Sequence, residues 1–197
     1  MFRRKKYHSL FHEKKKIVTP ELLREIFSWG FYTVFAVFIA LLLVMAFGKR
    51  VRVIGDSMEP SLFNSQSVLV DRVIFKFFAP KKDDVIVFLP NGNEKSHYYI
   101  KRVVAVPGET VKITDGNLVV NGEVVSNDAL EYDKMKEAGI AENEIKLDNG
   151  EFFVLGDNRN SSEDSRSANI GVVKQSMIAG KAWFCYGKSD GKGGFVK

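Results

Sequence analysis

Cysteine is nearly missing from this sequence. Cys185 is the only one in 197 residues, so no internal disulfide can form. That excludes a small secreted fold stapled by cystines, though not a place outside the membrane. Cys185 reads as a core residue, because no base-bearing motif accompanies it. Histidine is almost as scarce. His8 and His12 lie at the extreme N-terminus, and His97 is alone in the rest of the chain. No His/Cys group has metal-ligand spacing, so neither a metal nor a cofactor is expected. Internal repeats and low-complexity tracts are also absent.

Basic charge is lacking where a nucleic-acid surface would need it. The net charge is +5, but residues 1–52 hold 11 Lys/Arg against 3 Glu. Residues 53–197 keep 18 basic and 21 acidic side chains, a net of −3. The basicity belongs to the N-terminus, and no nucleic-acid partner is expected.

Charge of either sign is missing from Ile26 to Gly48, "IFSWGFYTVFAVFIALLLVMAFG". At 1.5 Å per residue this helix spans roughly 34 Å, against about 30 Å of hydrocarbon in a bilayer. Trp29 and Tyr32 sit near one end, where amphipathic rings prefer the interface. A cleaved targeting sequence would have a shorter apolar region and a small-residue cleavage site, and neither is present. Arg3, Arg4, Lys5, Lys6, Lys14, Lys15, Lys16 and Arg24 precede the run; only Lys49, Arg50 and Arg52 follow closely. The positive-inside rule puts residues 1–25 in the cytoplasm as a basic tail, 26–48 across the plasma membrane, and 49–197 on its outer face.

The outer part reads as strands and turns. Val68–Val70, Val85–Phe88, Ile100–Val106, Val111–Ile113, Phe152–Leu155 and Ile178–Phe184 are rich in Val, Ile and Phe. Leu118–Val120 and Glu123–Val125 flank Asn121-Gly122, which suits a type I′ hairpin turn. The polar stretch 128–146 reads as a short helix or a surface excursion. The expected fold is mainly β, a barrel-like or sandwich arrangement with one transmembrane helix in front and a short helical insertion.

The stretch "IGDSMEPSL", Ile54–Leu62, carries the first candidate for chemistry. Ser57 between Gly-Asp and a proline could be a turn serine. As a nucleophile it would need a base to take its proton. Histidine is the familiar base, and His97 is the only candidate of that type. The other solution is a lysine held neutral by burial, its pKa lowered from about 10.4. Lys101 lies inside "YYIKRVVAVPGE", a β-branched and aromatic run. Alternation puts His97, Tyr99, Lys101 and Val103 on one face and Ile100, Arg102 and Val104 on the other. From this segment alone, a solvent-facing lysine and a buried one both remain open. A third stretch, "LGDNRNSSEDSRS" from Leu155, concentrates carboxylates, guanidinia and hydroxyls after an apolar strand. Such a loop can support a catalytic group with hydrogen bonds.

Taken in this order behind one N-terminal anchor, these stretches resemble type I signal peptidase, a membrane-bound serine protease family with a Ser/Lys dyad. "GDSMEPSL" is similar to its S-M-x-P-T-L box, with Ser61 in the place of Thr. "YIKRVVAVPGE" resembles its lysine box and "GDNRNSSEDSR" its G-D-N-R-x-x-S-x-D-S-R box. "KKDDVIVF" resembles its G-D-V-x-V-F strand box, with Asp83 in the place of glycine. The likeness covers nearly all of residues 24–185.

The resemblance implies Ser57 as nucleophile and Lys101 as general base, with Ser162 orienting Lys101. It implies an Asp164–Arg166 ion pair in support, with Asp157 and Arg159 structural. The Ser57 backbone N–H would hold the oxyanion. Some relatives add a hydroxyl two residues before the nucleophile; here Gly55 offers none. The implied substrate is the Ala-x-Ala site of a secreted preprotein. Val53, Met58, Leu62, Tyr99 and Ile100 would line pockets for small side chains along an extended peptide. Its signal peptides and the phospholipid membrane are the implied partners, with the secretion translocon a candidate third. The short 128–146 stretch suggests the compact type common in Gram-positive bacteria. Two competing readings are a self-cleaving Ser/Lys repressor and an inactive membrane-bound assembly factor. The first would carry a DNA-binding helix-turn-helix in place of the anchor, and the second would lose the serine or the lysine, whereas Ser57, Lys101 and Ser162 are all present.

Overall fold

In the computed structural model, residues 19–93, 97–125, 132–187 and 193–196 are described. Helix α1 runs Pro20–Phe47. Thr19 starts it: its hydroxyl accepts the Leu22 N–H at 3.3 Å, and Pro20 fills the first helical position, where a missing N–H does no harm. The stretch Pro20–Met45 is long and apolar enough to cross a membrane. Its large side chains are exposed on every side among the described residues, Trp29 at 73% and Met45 at 72%. The helix begins before the uncharged run because Glu21, Arg24 and Glu25 are tolerated in a first, polar turn and a half. The chain divides into two units, Met1–Leu42 and Leu43–Lys197.

The second unit is mainly β. Its strands are β1 Lys49–Arg52, β2 Ser67–Asp71, β3 Val85–Phe88, β4 Tyr99–Ala105, β5 Thr110–Thr114 and β6 Asn117–Val120. They continue with β7 Glu123–Val124, β8 Ile145–Lys146, β9 Glu151–Leu155, β10 Val173–Lys174, β11 Ile178–Tyr186 and β12 Gly194–Phe195. A single helical turn, α2 Ile74–Phe77, follows β2. The main sheet has the order β1-β2-β11-β3-β4-β9-β10, with β12 added to β11; a second sheet has the order β7-β6-β5-β8. The ladders are antiparallel, and the main sheet stays open, with β1 and β10 as its ends. The barrel-like arrangement is thus an open antiparallel sheet with a smaller second sheet beside it.

The long Val/Ile/Phe runs are explained by burial on both faces. On β3, Val85 and Val87 join one core with Val53, Met58, Leu62, Ile100 and Cys185. Ile86 and Phe88 join another with Val103, Phe152 and Val154. A strand covered on both sides needs apolar residues at consecutive positions. A third core lies between β5–β6 and the ends of β4 and β9, built from Val111, Ile113, Leu118 and Val120 against Val104 and Phe153.

Turns follow backbone chemistry. Asn121-Gly122 turns β6 into β7 with both residues at positive φ, and Asp115-Gly116 does the same between β5 and β6. Asp83 has a φ of 69°. That left-handed conformation favours glycine, and Asp is among the few other residues that adopt it at modest strain. In the 128–146 stretch, 128–131 lie outside the described residues. From Tyr132 on it is irregular chain with one 3-10 turn, Gly139–Glu142, and strand β8. It is less of a surface excursion than expected, since Met135 and Ala141 are buried in the third core.

Candidate active site

Ser57 lies in the turn that links β1 to β2. Lys101 lies on β4, opposite Ile86 of β3. The sheet brings these distant residues together: a 2.6 Å hydrogen bond joins Lys101 Nζ to Ser57 Oγ across 44 positions of sequence. Lys101 is 3% exposed, so it is not the solvent-facing lysine that its segment alone allows. Burial pushes its amine down from the usual value to about 8, against the upward pull of the Asp164, Glu163 and Asp157 carboxylates; Arg166 pushes it down further.

The loop after β9 wraps the Ser57 turn. Asn158 N–H donates to the Ser57 carbonyl at 3.1 Å. Ser161 Oγ donates to the Asp56 carboxylate at 3.1 and 3.2 Å. Gly156 precedes these anchors in the same loop. A Cβ there would run into the Ser57 carbonyl and Ser162 Oγ, so only glycine allows this approach. Gly156→Ala is expected to lower kcat/KM about a hundredfold through displacement of Ser57, while far-UV circular dichroism keeps its β signature. A variant with an unchanged rate would show that the close approach is dispensable.

Two buried ion pairs hold this loop. Arg166 Nε and Nη2 donate to the two oxygens of Asp164 at 2.8 and 2.9 Å, and Asp164 also accepts the Gly156 N–H at 3.1 Å. Arg102 binds Asp157 in the same two-pronged way, at 2.8 and 2.7 Å. Arg102 further donates to the Asp83 carbonyl at 2.9 Å and to Ser61 Oγ at 3.2 Å. Sequence reasoning gave Arg102 no role. The signal was available: two adjacent cations on a doubly buried strand require a buried anion on the face opposite Lys101.

Other expected site residues fall in different places. Val53, Met58, Tyr99 and Ile100 line a cavity of about 330 Å³ together with Ser57 and Lys101. Leu62 does not line it; it is fully buried, packed in the same core as Met58 and the β2 residues Val68 and Val70. Ser162 makes no hydrogen bond to Lys101. Its Oγ is buried against Gly156 without a partner among the described residues. His97 lines the same cavity but is exposed, and the hydroxyl of Ser57 is engaged by Lys101 instead. Arg159 stacks on Tyr132, 3.8 Å from the ring centroid. A larger cavity of about 610 Å³, lined by Lys136, Arg159, Ser162 and Arg166, holds neither Ser57 nor Lys101. Among the described residues no group of His, Cys, Asp and Glu is arranged to hold a metal ion.

An amine able to be neutral near pH 8, held against a hydroxyl on a cavity wall, can activate that hydroxyl towards a carbonyl. This is the chemistry of a serine hydrolase. Within that class, residues 26–187 match the family described as signal peptidase, peptidase S26, and the chain belongs to that family. It is 34% identical over 167 residues to signal peptidase I P of Bacillus subtilis subsp. natto, covering 82% of this chain and 88% of that protein. Signal peptidase I T of Bacillus subtilis (strain 168) is 33% identical over 166 residues, covering 81% and 84%. A solved signal peptidase I from Enterococcus faecalis V583 is 30% identical and covers 53% of this chain and 97% of its own, with a TM-score of 0.43. The protein is a serine endopeptidase of this family.

Proposed function

We propose that this endopeptidase is anchored in the plasma membrane by α1 and removes signal peptides from secreted preproteins after an Ala-x-Ala motif. Ser57 is the nucleophile and neutral Lys101 the general base. The observation that carries this reading is the 2.6 Å contact between Ser57 Oγ and a lysine that is 3% exposed. Lys101 takes the Ser57 proton as Oγ attacks the scissile carbonyl. The Ser57 backbone N–H supports the oxyanion. As the tetrahedral intermediate collapses, Lys101 passes its proton to the departing amine. Water then attacks the acyl-enzyme, with Lys101 again as base.

Ser162, Asp164 and Arg166 act through others: the ion pair fixes the loop against Gly156, and Ser162 packs beside the nucleophile turn. Reorientation of the unpaired Ser162 hydroxyl towards Lys101 would complete the support of the base. Val53, Met58, Tyr99 and Ile100 form shallow apolar walls that suit small side chains at alternate positions of an extended peptide. The basic tail 1–25 lies in the cytoplasm and the catalytic unit outside, following the basic excess before the uncharged run.

The test is cleavage of a preprotein with an Ala-x-Ala site in detergent, with the product mapped by mass spectrometry. The wild type is expected to cut after the second alanine, and Ser57→Ala to leave the precursor intact. Equal cleavage by both, or by neither, would overturn the proposal.

A further inference from the structure

Glu163 falls at a variable position of the third box, and neither the resemblance nor the proposed mechanism gives it a role. It nonetheless lies on the wall of the cavity that holds Ser57 and Lys101. Its Oε2 accepts the Tyr99 hydroxyl at 3.2 Å, joining the loop after β9 to β4 across 64 positions of sequence. Tyr99 is two places before Lys101 on the same face of β4, and Lys101 Nζ lies 5.8 Å from the centre of its ring. Among the described residues Glu163 forms no ion pair. Its neighbours differ: Asp164 is engaged by Arg166, and Asp56 accepts Ser161. Glu163 therefore carries a negative charge into the cavity with one hydrogen bond and no ion-pair partner among the described residues, while its field reaches Lys101 on the same wall. Lys101, Arg52 and His97 are the basic side chains on that wall, with Asp56, Tyr98 and Tyr99 the other titratable ones.

We propose that Glu163 is a specificity-determining residue. Bonded to the Tyr99 hydroxyl on the wall beside Ser57, its carboxylate favours precursors with a basic side chain next to the cleavage point and rejects those with an acidic one. This inference rests on the proposed cleavage of Ala-x-Ala precursors by Ser57. The physical reason is Coulombic. A peptide bound along the wall brings its side chains within several ångströms of this carboxylate and displaces water. There a unit charge is felt far more strongly than across bulk solvent. The effect weakens with salt, because the groove is open on one side. The Tyr99 bond holds the carboxylate in place, so Tyr99 is a positioning residue for it.

The experiment uses the full chain in detergent and peptides with Ala fixed at positions −3 and −1. Lys, Gln or Glu is placed at −2 or at +1. In the wild type, kcat/KM for Lys over Glu is expected to be roughly tenfold at one or both positions. Glu163→Gln should bring that ratio to about one, and Glu163→Lys should invert it. Tyr99→Phe keeps the charge but removes its anchor, so the ratio should fall part of the way towards one without reaching it; a ratio unchanged in Tyr99→Phe removes the positioning role from Tyr99. A second reading lies in the pH profile. The Glu163 carboxylate favours the charged form of Lys101 alongside Asp164 and Asp157, so Glu163→Gln should move the acid limb to lower pH, a change that loss of a structural contact alone would not produce. Efficient cleavage with a wild-type ratio near one, or a ratio unchanged in Glu163→Gln, overturns this inference alone. A wild type that cuts none of the peptides overturns the proposed function instead.

Discussion

Lys101→Met is expected to reduce peptide cleavage by roughly 10^4-fold or more at every pH, while making the domain more stable. Both effects have one cause. The wild-type amine is buried, and its pKa stands at about 8 rather than 10.5. In the wild type, kcat/KM should rise about tenfold per pH unit towards that value and then level off, as the neutral base accumulates. The stability effect has a defined sign. Folding disfavours the ammonium form, so the penalty is fully present below the folded pKa and fades as pH rises from about 8 towards the unfolded value. Below that window it is on the order of 3 kcal/mol. Methionine of similar length carries no charge and escapes it. A pH–rate series with thermal unfolding of both proteins checks the claim. A variant with a raised Tm and no activity fits. One that keeps a tenth of the wild-type rate removes Lys101 from the reaction.

Asp157→Ala is expected to destabilise the domain by about 3–5 kcal/mol, because it leaves the Arg102 guanidinium buried without its anion. Arg102 and Asp157 side chains are 2% and 0% exposed, so water cannot substitute for the lost partner. Thermal unfolding should show a Tm roughly 10 °C lower. Replacing both partners together, Arg102→Met with Asp157→Leu, should recover much of the loss, since no unpaired charge remains. A loss under about 1 kcal/mol for Asp157→Ala would show that water or a shifted side chain satisfies Arg102. The pair also explains how three distant stretches stay in register. Arg102 on β4 reaches Asp157 after β9, Ser61 beyond the Ser57 turn and the Asp83 carbonyl before β3.

Much of the fold was legible because its signals are local. The Val85–Phe88 run is β3 to the residue, and Asn121-Gly122 forms the expected turn. Strands β8, β10 and β12 were not legible. Each is two residues long and is a strand only because a neighbour pairs with it. Of the short helix or surface excursion expected in 128–146, the described part is irregular chain with one 3-10 turn, largely at the surface, with Met135 and Ala141 buried in the third core.

By itself the sequence determined the uncharged run that makes α1, the strand-rich unit after it, and the stretches around Ser57, Lys101 and Ser162. These depend on hydropathy, backbone preference and motif order along the chain. Tertiary structure alone decided which side chains meet. Antiparallel pairing of β3 with β4 buries Lys101 opposite Ile86 and brings its amine to Ser57. The same sheet turns Arg102 to the other face, where Asp157 receives it. It sends Leu62 into the core rather than the groove, leaves the Ser162 hydroxyl unpaired beside Gly156, and sets Glu163 against Tyr99 on the cavity wall. Burial and the pKa shift that follows are properties of surroundings assembled from distant segments, which no single stretch of sequence contains.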